Sequence, residues 1–146
     1  MRTVPLALGL IFVADRLTKL WALNWLKPRV SIRVLPFFRL TYVENTGAAF
    51  GLGFSRNSFF IVVSTVLIGV LFWLMRAWRG KNLWLRAGLV LVAGGALGNL
   101  YDRVAYGFVV DMLHLPMWPV FNVADSCVSV GACCMAWGLR LDDAKA

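Results

Sequence analysis

Long uncharged runs, broken by short polar clusters, set the pattern of this chain. Apolar positions run from Val4 to Val13, give way to Asp15-Arg16-Leu17-Thr18-Lys19, and resume through Trp21, Leu23, Trp25 and Leu26. A helix of ~20 residues crosses a bilayer, so Val4–Leu26 is predicted as a first transmembrane helix. No cleavage site of small residues follows the apolar start, so it is read as uncleaved. The nineteen residues Asn57–Met75 carry no charge and predict a second helix over 57–78. Ala87–Tyr101, with Leu83–Leu85 leading in, predicts a third over 83–101. Its end is open: it stops at Tyr101 or continues through Asp111. A fourth is expected over 120–139, where Asp125 is the only charge.

Between the first two helices the pattern changes period. Phe38-Arg39-Leu40-Thr41-Tyr42 alternates apolar and polar, as a half-buried strand does. Asn45-Thr46-Gly47 reads as a turn, with Gly51 and Gly53 close behind. A small sheet over about 31–54, lying on the membrane surface, is the expectation. It is either a structural cap or an edge onto which a peptide adds as a strand near Glu44-Asn45-Thr46 and Ala48-Ala49-Phe50. The fold class is thus an all-α membrane protein of four transmembrane helices with a small extracytoplasmic β-sheet, residues 1–146 forming one domain.

Composition supports that class. Of 146 residues 60% are hydrophobic and 15% charged, with mean hydropathy +0.74. A soluble surface needs more charge. The net charge of +8 is read as Lys and Arg meeting membrane lipid headgroups, with no nucleic-acid partner. Trp73, Trp78 and Trp84 cluster with Arg76, Arg79, Lys81 and Arg86, an aromatic belt beside a basic loop. Cys127, Cys133 and Cys134 share the last apolar run and read as small buried hydrophobes.

The candidate chemistry is acidic. Asp111 and Asp125 flank Pro116 and Pro119, which oppose a continuous helix. A reversal near Met117-Trp118 in an antiparallel helical hairpin would bring both carboxylates to one depth. Two close carboxylates share a proton, so one can activate water while the other polarises a carbonyl. Proton or cation transport is the rival use of intramembrane acids, and the residues leave the two level. Asp15, Thr18 and Lys19 share a helix face, where Asp15 and Lys19 can neutralise each other, as a packing lock or as support for a site. Gly94 and Gly98 have the spacing that lets helices approach closely. Asn99, Asp102 and Arg103 project beside them, with Asp102 and Arg103 read as a possible pair. His114 is the lone histidine, so a zinc site of the HExxH kind is excluded; no metal or other cofactor is expected. His114 is read as an interfacial residue near the turn.

Four blocks carry a resemblance: Asp15-Arg16-Leu17-Thr18-Lys19; Asn45-Thr46-Gly47-Ala48-Ala49-Phe50; Gly94 to Arg103 with Val109-Val110-Asp111; and Phe121-Asn122-Val123-Ala124-Asp125. In this order they resemble the lipoprotein signal peptidase (signal peptidase II) family, bacterial membrane aspartyl proteases. The resemblance implies that Asp111 and Asp125 are the catalytic dyad. It implies that Asn45, Gly47, Asn99, Arg103 and Asn122 line a substrate groove, supported by Asp15, Lys19 and Asp102. It further implies diacylated prolipoprotein substrates, cut just before the lipid-modified cysteine. The bacterial cytoplasmic membrane is the implied location, with cytoplasmic termini and the dyad near the outer face. A monomer is expected.

Overall fold

The computed structural model describes residues 3–47, 56–79 and 82–143. The expected peptide-adding edge at Ala48-Ala49-Phe50, with Gly51 and Gly53, lies outside them. Among the described residues four long helices and three strands follow one another in the order α1 (Thr3–Trp21), β1 (Ser31–Leu35), β2 (Phe38–Asn45), α2 (Arg56–Ala77), α3 (Leu83–Ala105), β3 (Val109–His114) and α4 (Val123–Asp143). A π-helical turn, Ala22–Leu26, and a short 3-10 turn, Lys27–Arg29, lead from α1 to β1.

The apolar runs account for the helices. In α2, Asn57–Ala77 has mean hydropathy 2.4, and α3 has 1.4; both are long and apolar enough to cross a membrane. Few residues of α2 are buried within the protein, and Phe59, Val62, Val66 and Trp73 point outward. Charge-free exposure of that kind suits lipid. α3 is the central helix and touches the other three. Its approach to α4 is a backbone contact: a Cβ on Gly88 would lie 2.6 Å from the Gly131 carbonyl oxygen, and one on Gly131 would lie 2.8 Å from that of Gly88. Gly94 and Gly98 make room for side chains of α1, where added Cβ atoms would meet those of Ile11 and Asp15. Leu71, Leu89, Val92 and Ala93 form the buried cluster of this bundle.

The sheet differs from expectation in one strand. Its order is β1-β2-β3, antiparallel throughout. Asp111 therefore sits on a strand, not on one arm of a helical hairpin. Residues 109–112 are buried, so a strand there reads as a plain apolar run, which period alone cannot tell from helix. β2 is central, flanked by β1 and β3, and its ladder to β3 shifts register between Leu40/Leu113 and Val43/Asp111. One extra residue on β2 makes this a β-bulge. The sheet rests on the π-helical turn after α1 through Ala22, Leu26, Val110 and Met112, with Ile32, Leu40 and Leu113 packed around them.

Candidate active site

The start of α4 builds one half of the site. Asn122 caps the helix: its Oδ1 accepts the Asp125 backbone N–H at 2.8 Å, and the Asp125 Oδ2 accepts the Asn122 N–H at 3.2 Å. This reciprocal pair is a capping box, which satisfies two donors that a helix start leaves open. It also fixes the Asp125 side chain in the first turn.

Asp111 on β3 forms the other half. The Asn122 amide donates to its Oδ1 at 2.7 Å, and Asn45 from β2 donates to its Oδ2 at 2.9 Å. Asn122 thus touches both carboxylates, one with its side chain and one with its main chain. It is wholly buried and also reaches the Val110 carbonyl and Asn99 Oδ1. That places it behind the pair of acids, holding them. Burial pushes the Asp111 carboxyl up to about 6 from the ordinary 3.8; the Asn45 hydrogen bond opposes that rise and the nearby Asp125 charge adds to it.

Behind the acids lies a buried polar cluster. Asn99 donates to Asp125 Oδ1 at 2.7 Å and accepts from Lys19 at 2.8 Å. Lys19 Nζ lies 2.9 Å from both Asp15 Oδ2 and Asp102 Oδ2. Asp15 accepts the Ala124 N–H at 3.1 Å and Asp102 the Val110 N–H at 3.1 Å. The cluster thereby ties α1, α3, β3 and α4 together at the two acids. Arg16, which pattern reading passed over, pairs with Asp102 and lies 3.5 Å from Asp15. Two acids and two bases balance, the condition under which buried charge is tolerable.

Asp102 is consequently not Arg103's partner, as its place in sequence suggested. Adjacent residues on a helix face different directions, and Asp102 turns inward while Arg103 turns toward α2. Among the described residues no hydrogen bond or ion pair holds the Arg103 guanidinium. It lies 4.9 Å from the Phe60 ring centre and within electrostatic reach of Asp125, Asp111 and Asp102. Its carbonyl accepts from Asn57 at 2.8 Å. Gly47, at φ +75, packs against the same Phe60. Asn57 and Phe60 escaped notice because they open a run that reads as plain membrane helix.

His114 ends β3, and its Nδ1 is 3.1 Å from the Thr41 hydroxyl, on the sheet and away from the acids. Among the described residues no three His, Cys, Asp or Glu side chains gather as metal ligands would.

Known proteins match this architecture and sequence. Residues 7–141 fit the family described as Signal peptidase (SPase) II. A lipoprotein signal peptidase of Clostridium acetobutylicum is 42% identical, covering 99% of this chain and 97% of its own. One from Shewanella loihica is 45% identical over 84% of this chain and 77% of its own. Two solved bacterial membrane enzymes superpose with TM-scores of 0.87 and 0.88 at 28% and 29% identity. They cover 99% and 95% of this chain, and the alignments take in 92% and 93% of theirs. With so nearly the whole chain matched, from the α1 charges to the α4 cap, it belongs to the signal peptidase II family of membrane-embedded lipoprotein signal peptidases.

Proposed function

We propose that this chain is an aspartyl endopeptidase that removes signal peptides from diacylglyceryl-modified prolipoproteins, cutting before the lipid-bearing cysteine, with Asp111 and Asp125 as its catalytic pair. The observation that carries this reading is Asn122, whose side-chain amide and main-chain N–H hold the two carboxylates at 2.7 and 3.2 Å. A common partner brings the acids together on one side of the buried cluster.

Such a pair shares a proton and titrates as a unit. The ionised carboxylate takes a proton from water as its oxygen attacks the scissile carbonyl carbon. The protonated one gives its proton to the carbonyl oxygen. Collapse of the tetrahedral intermediate breaks the C–N bond, and a proton passes to the leaving amine. Arg103 and the Asn45–Gly47 turn border the substrate peptide. Asn99, Asn122, Asp15, Lys19 and Asp102 hold the acids from behind.

The four helices all cross the membrane in this reading, as one unit. α1 and α4 carry their polar residues inward, around Lys19 and Asn122. The termini then lie in the cytoplasm and the sheet outside the bacterial cytoplasmic membrane, with the protein working as a monomer.

The test is cleavage of a diacylated prolipoprotein by purified Asp111→Asn and Asp125→Asn proteins. Asn keeps the shape and one of the two acceptor oxygens but cannot exchange the proton. Each variant is expected to lose at least about a thousandfold in kcat, on the scale of removing a general acid or base. Appreciable turnover by either one removes the pair from the mechanism.

A further inference from the structure

The polar face of the sheet carries an arrangement that the cleavage chemistry leaves unused. Arg33 on β1 pairs across the ladder with Arg39 on β2, and Arg39 pairs with His114 on β3. Cross-strand partners project from the same face, so these three form one basic rung. Like charges directly opposite destabilise a sheet unless something compensates them. The adjacent rung, Ile32-Leu40-Leu113, faces the core.

Among the described residues no acid offsets the rung. Neither arginine makes an ion pair among the described residues. Among the described residues Arg39 donates only to the Ser31 hydroxyl at 3.2 Å, and Arg33 only to the Pro36 carbonyl at 3.4 Å. Glu44, on the same strand, is taken by Lys27 at 2.7 Å. The guanidinium donors therefore face outward with most of their capacity unspent.

The end of the sheet beside this rung is apolar and exposed. The end of β1 and the turn after it present Leu35 and Phe37, and the β3–α4 loop presents Met117 and Trp118 between two prolines. Met117 has φ +60, a conformation uncommon outside glycine, and its side chain is fully exposed. Both turns leave the sheet at the end where Arg39 pairs with His114.

Apolar tips beside two arginines fit the boundary of a bilayer, where acyl chains meet phosphates. We propose that this end of the sheet is a recognition surface for anionic phospholipid. Phe37, Met117 and Trp118 reach the acyl region, and Arg33 and Arg39 hold the lipid phosphate against the Ser31 and Thr41 hydroxyls. The occupant is a lipid of the surrounding leaflet, because the same chain's helices already fix the protein in that bilayer.

Quenching of Trp118 by brominated lipid tests this, taking the Trp118 component as the difference between native protein and Trp118→Phe. In phosphatidylcholine bilayers, brominated phosphatidylglycerol should quench that component at a roughly 25-fold lower mole fraction than brominated phosphatidylcholine. Arg33→Gln/Arg39→Gln should bring the two curves together, with a loss of about five-fold in preference per arginine. Arg33→Gln by itself gives the smaller step should the double variant not fold. Arg76→Gln/Arg79→Gln, at the far end of α2, should leave both curves unchanged, and so should Asp111→Asn, since the surface is independent of the peptidase chemistry. Coincident curves in the native protein, or a Trp118 that neither lipid quenches, would overturn the proposal. Loss of the preference in millimolar inorganic phosphate would overturn it too, by making the rung a free-anion site.

Discussion

Asn45 reaches Asp111, Nδ2 to Oδ2 at 2.9 Å, only because β2 carries one extra residue between Leu40 and Val43. In an unbroken ladder, side chains alternate faces, and Asn45 would share a face with Arg39, opposite to Leu40. The bulge turns Val43 and Asn45 over to the side of Asp111. A sheet irregularity thus supplies one of the two side-chain hydrogen bonds to that carboxylate.

That bond gives a pH prediction. Burial raises the Asp111 carboxyl to about 6, and the Asn45 hydrogen bond acts against the rise by favouring the ionised form. Deleting it must raise the value further. Activity is lost on the alkaline side as the pair gives up its shared proton, so Asn45→Ala should move the alkaline limb of kcat/KM upward by about one pH unit. A pH–rate profile on a lipidated substrate checks this; a limb moved downward, or not at all, contradicts the role given to Asn45.

Asn122 should matter more to rate than to substrate affinity. Asn122→Ala removes the donor to Asp111 and the acceptor for the Asp125 N–H in one step. Loss of an N-cap costs about 1 kcal/mol, so the protein should remain folded in detergent. The expected result is a fall in kcat of at least about a hundredfold, with KM little changed, because the acids lose their mutual geometry. A change confined to KM would put Asn122 in the substrate groove instead.

Arg103 offers five donors and uses none on the described residues, which suits a group waiting for peptide carbonyls. Lysine keeps the charge but not the planar fork. Arg103→Lys should therefore lose most activity, and Arg103→Ala more, both with near-native melting midpoints. Steady-state kinetics beside thermal unfolding separates this from a structural role, in which activity and midpoint would fall together.

Lys19 is the opposite case, a stability residue. It is fully buried between Asp15 and Asp102. Lys19→Met leaves two buried carboxylates short of a cation and should destabilise by about 3–5 kcal/mol. Asp15→Asn added to Lys19→Met should recover part of that loss. Thermal unfolding of the single and double variants in one detergent measures both steps; a double variant no more stable than the single would show that charge balance is not the cause.

The helices were legible because an uncharged stretch of about 20 residues has few other uses. Phe38 to Tyr42 was legible by its period of two. β3 was not, since residues buried on both faces lose alternation. Asp111 and Asp125 stood out in the sequence, but the scaffold that carries them did not: a helical hairpin and a strand leading to a helix both satisfy two prolines between apolar runs. The partner of Asp102 was misjudged for a simpler reason. Neighbours in sequence look like partners, whereas on a helix the partner lies three or four residues away or on another element altogether.

The Asn122–Asp125 cap also limits how this stretch of chain can vary. One residue inserted between Asn122 and Asp125 would rotate the carboxylate by about 100° around the helix axis. Both capping bonds and the link to Asn99 would go with it. Side chains at Val123 and Ala124 can be exchanged within the space available, but the distance of three residues from cap to acid cannot lengthen or shorten. Here the spacing itself carries the function, fixed by the pitch of a helix.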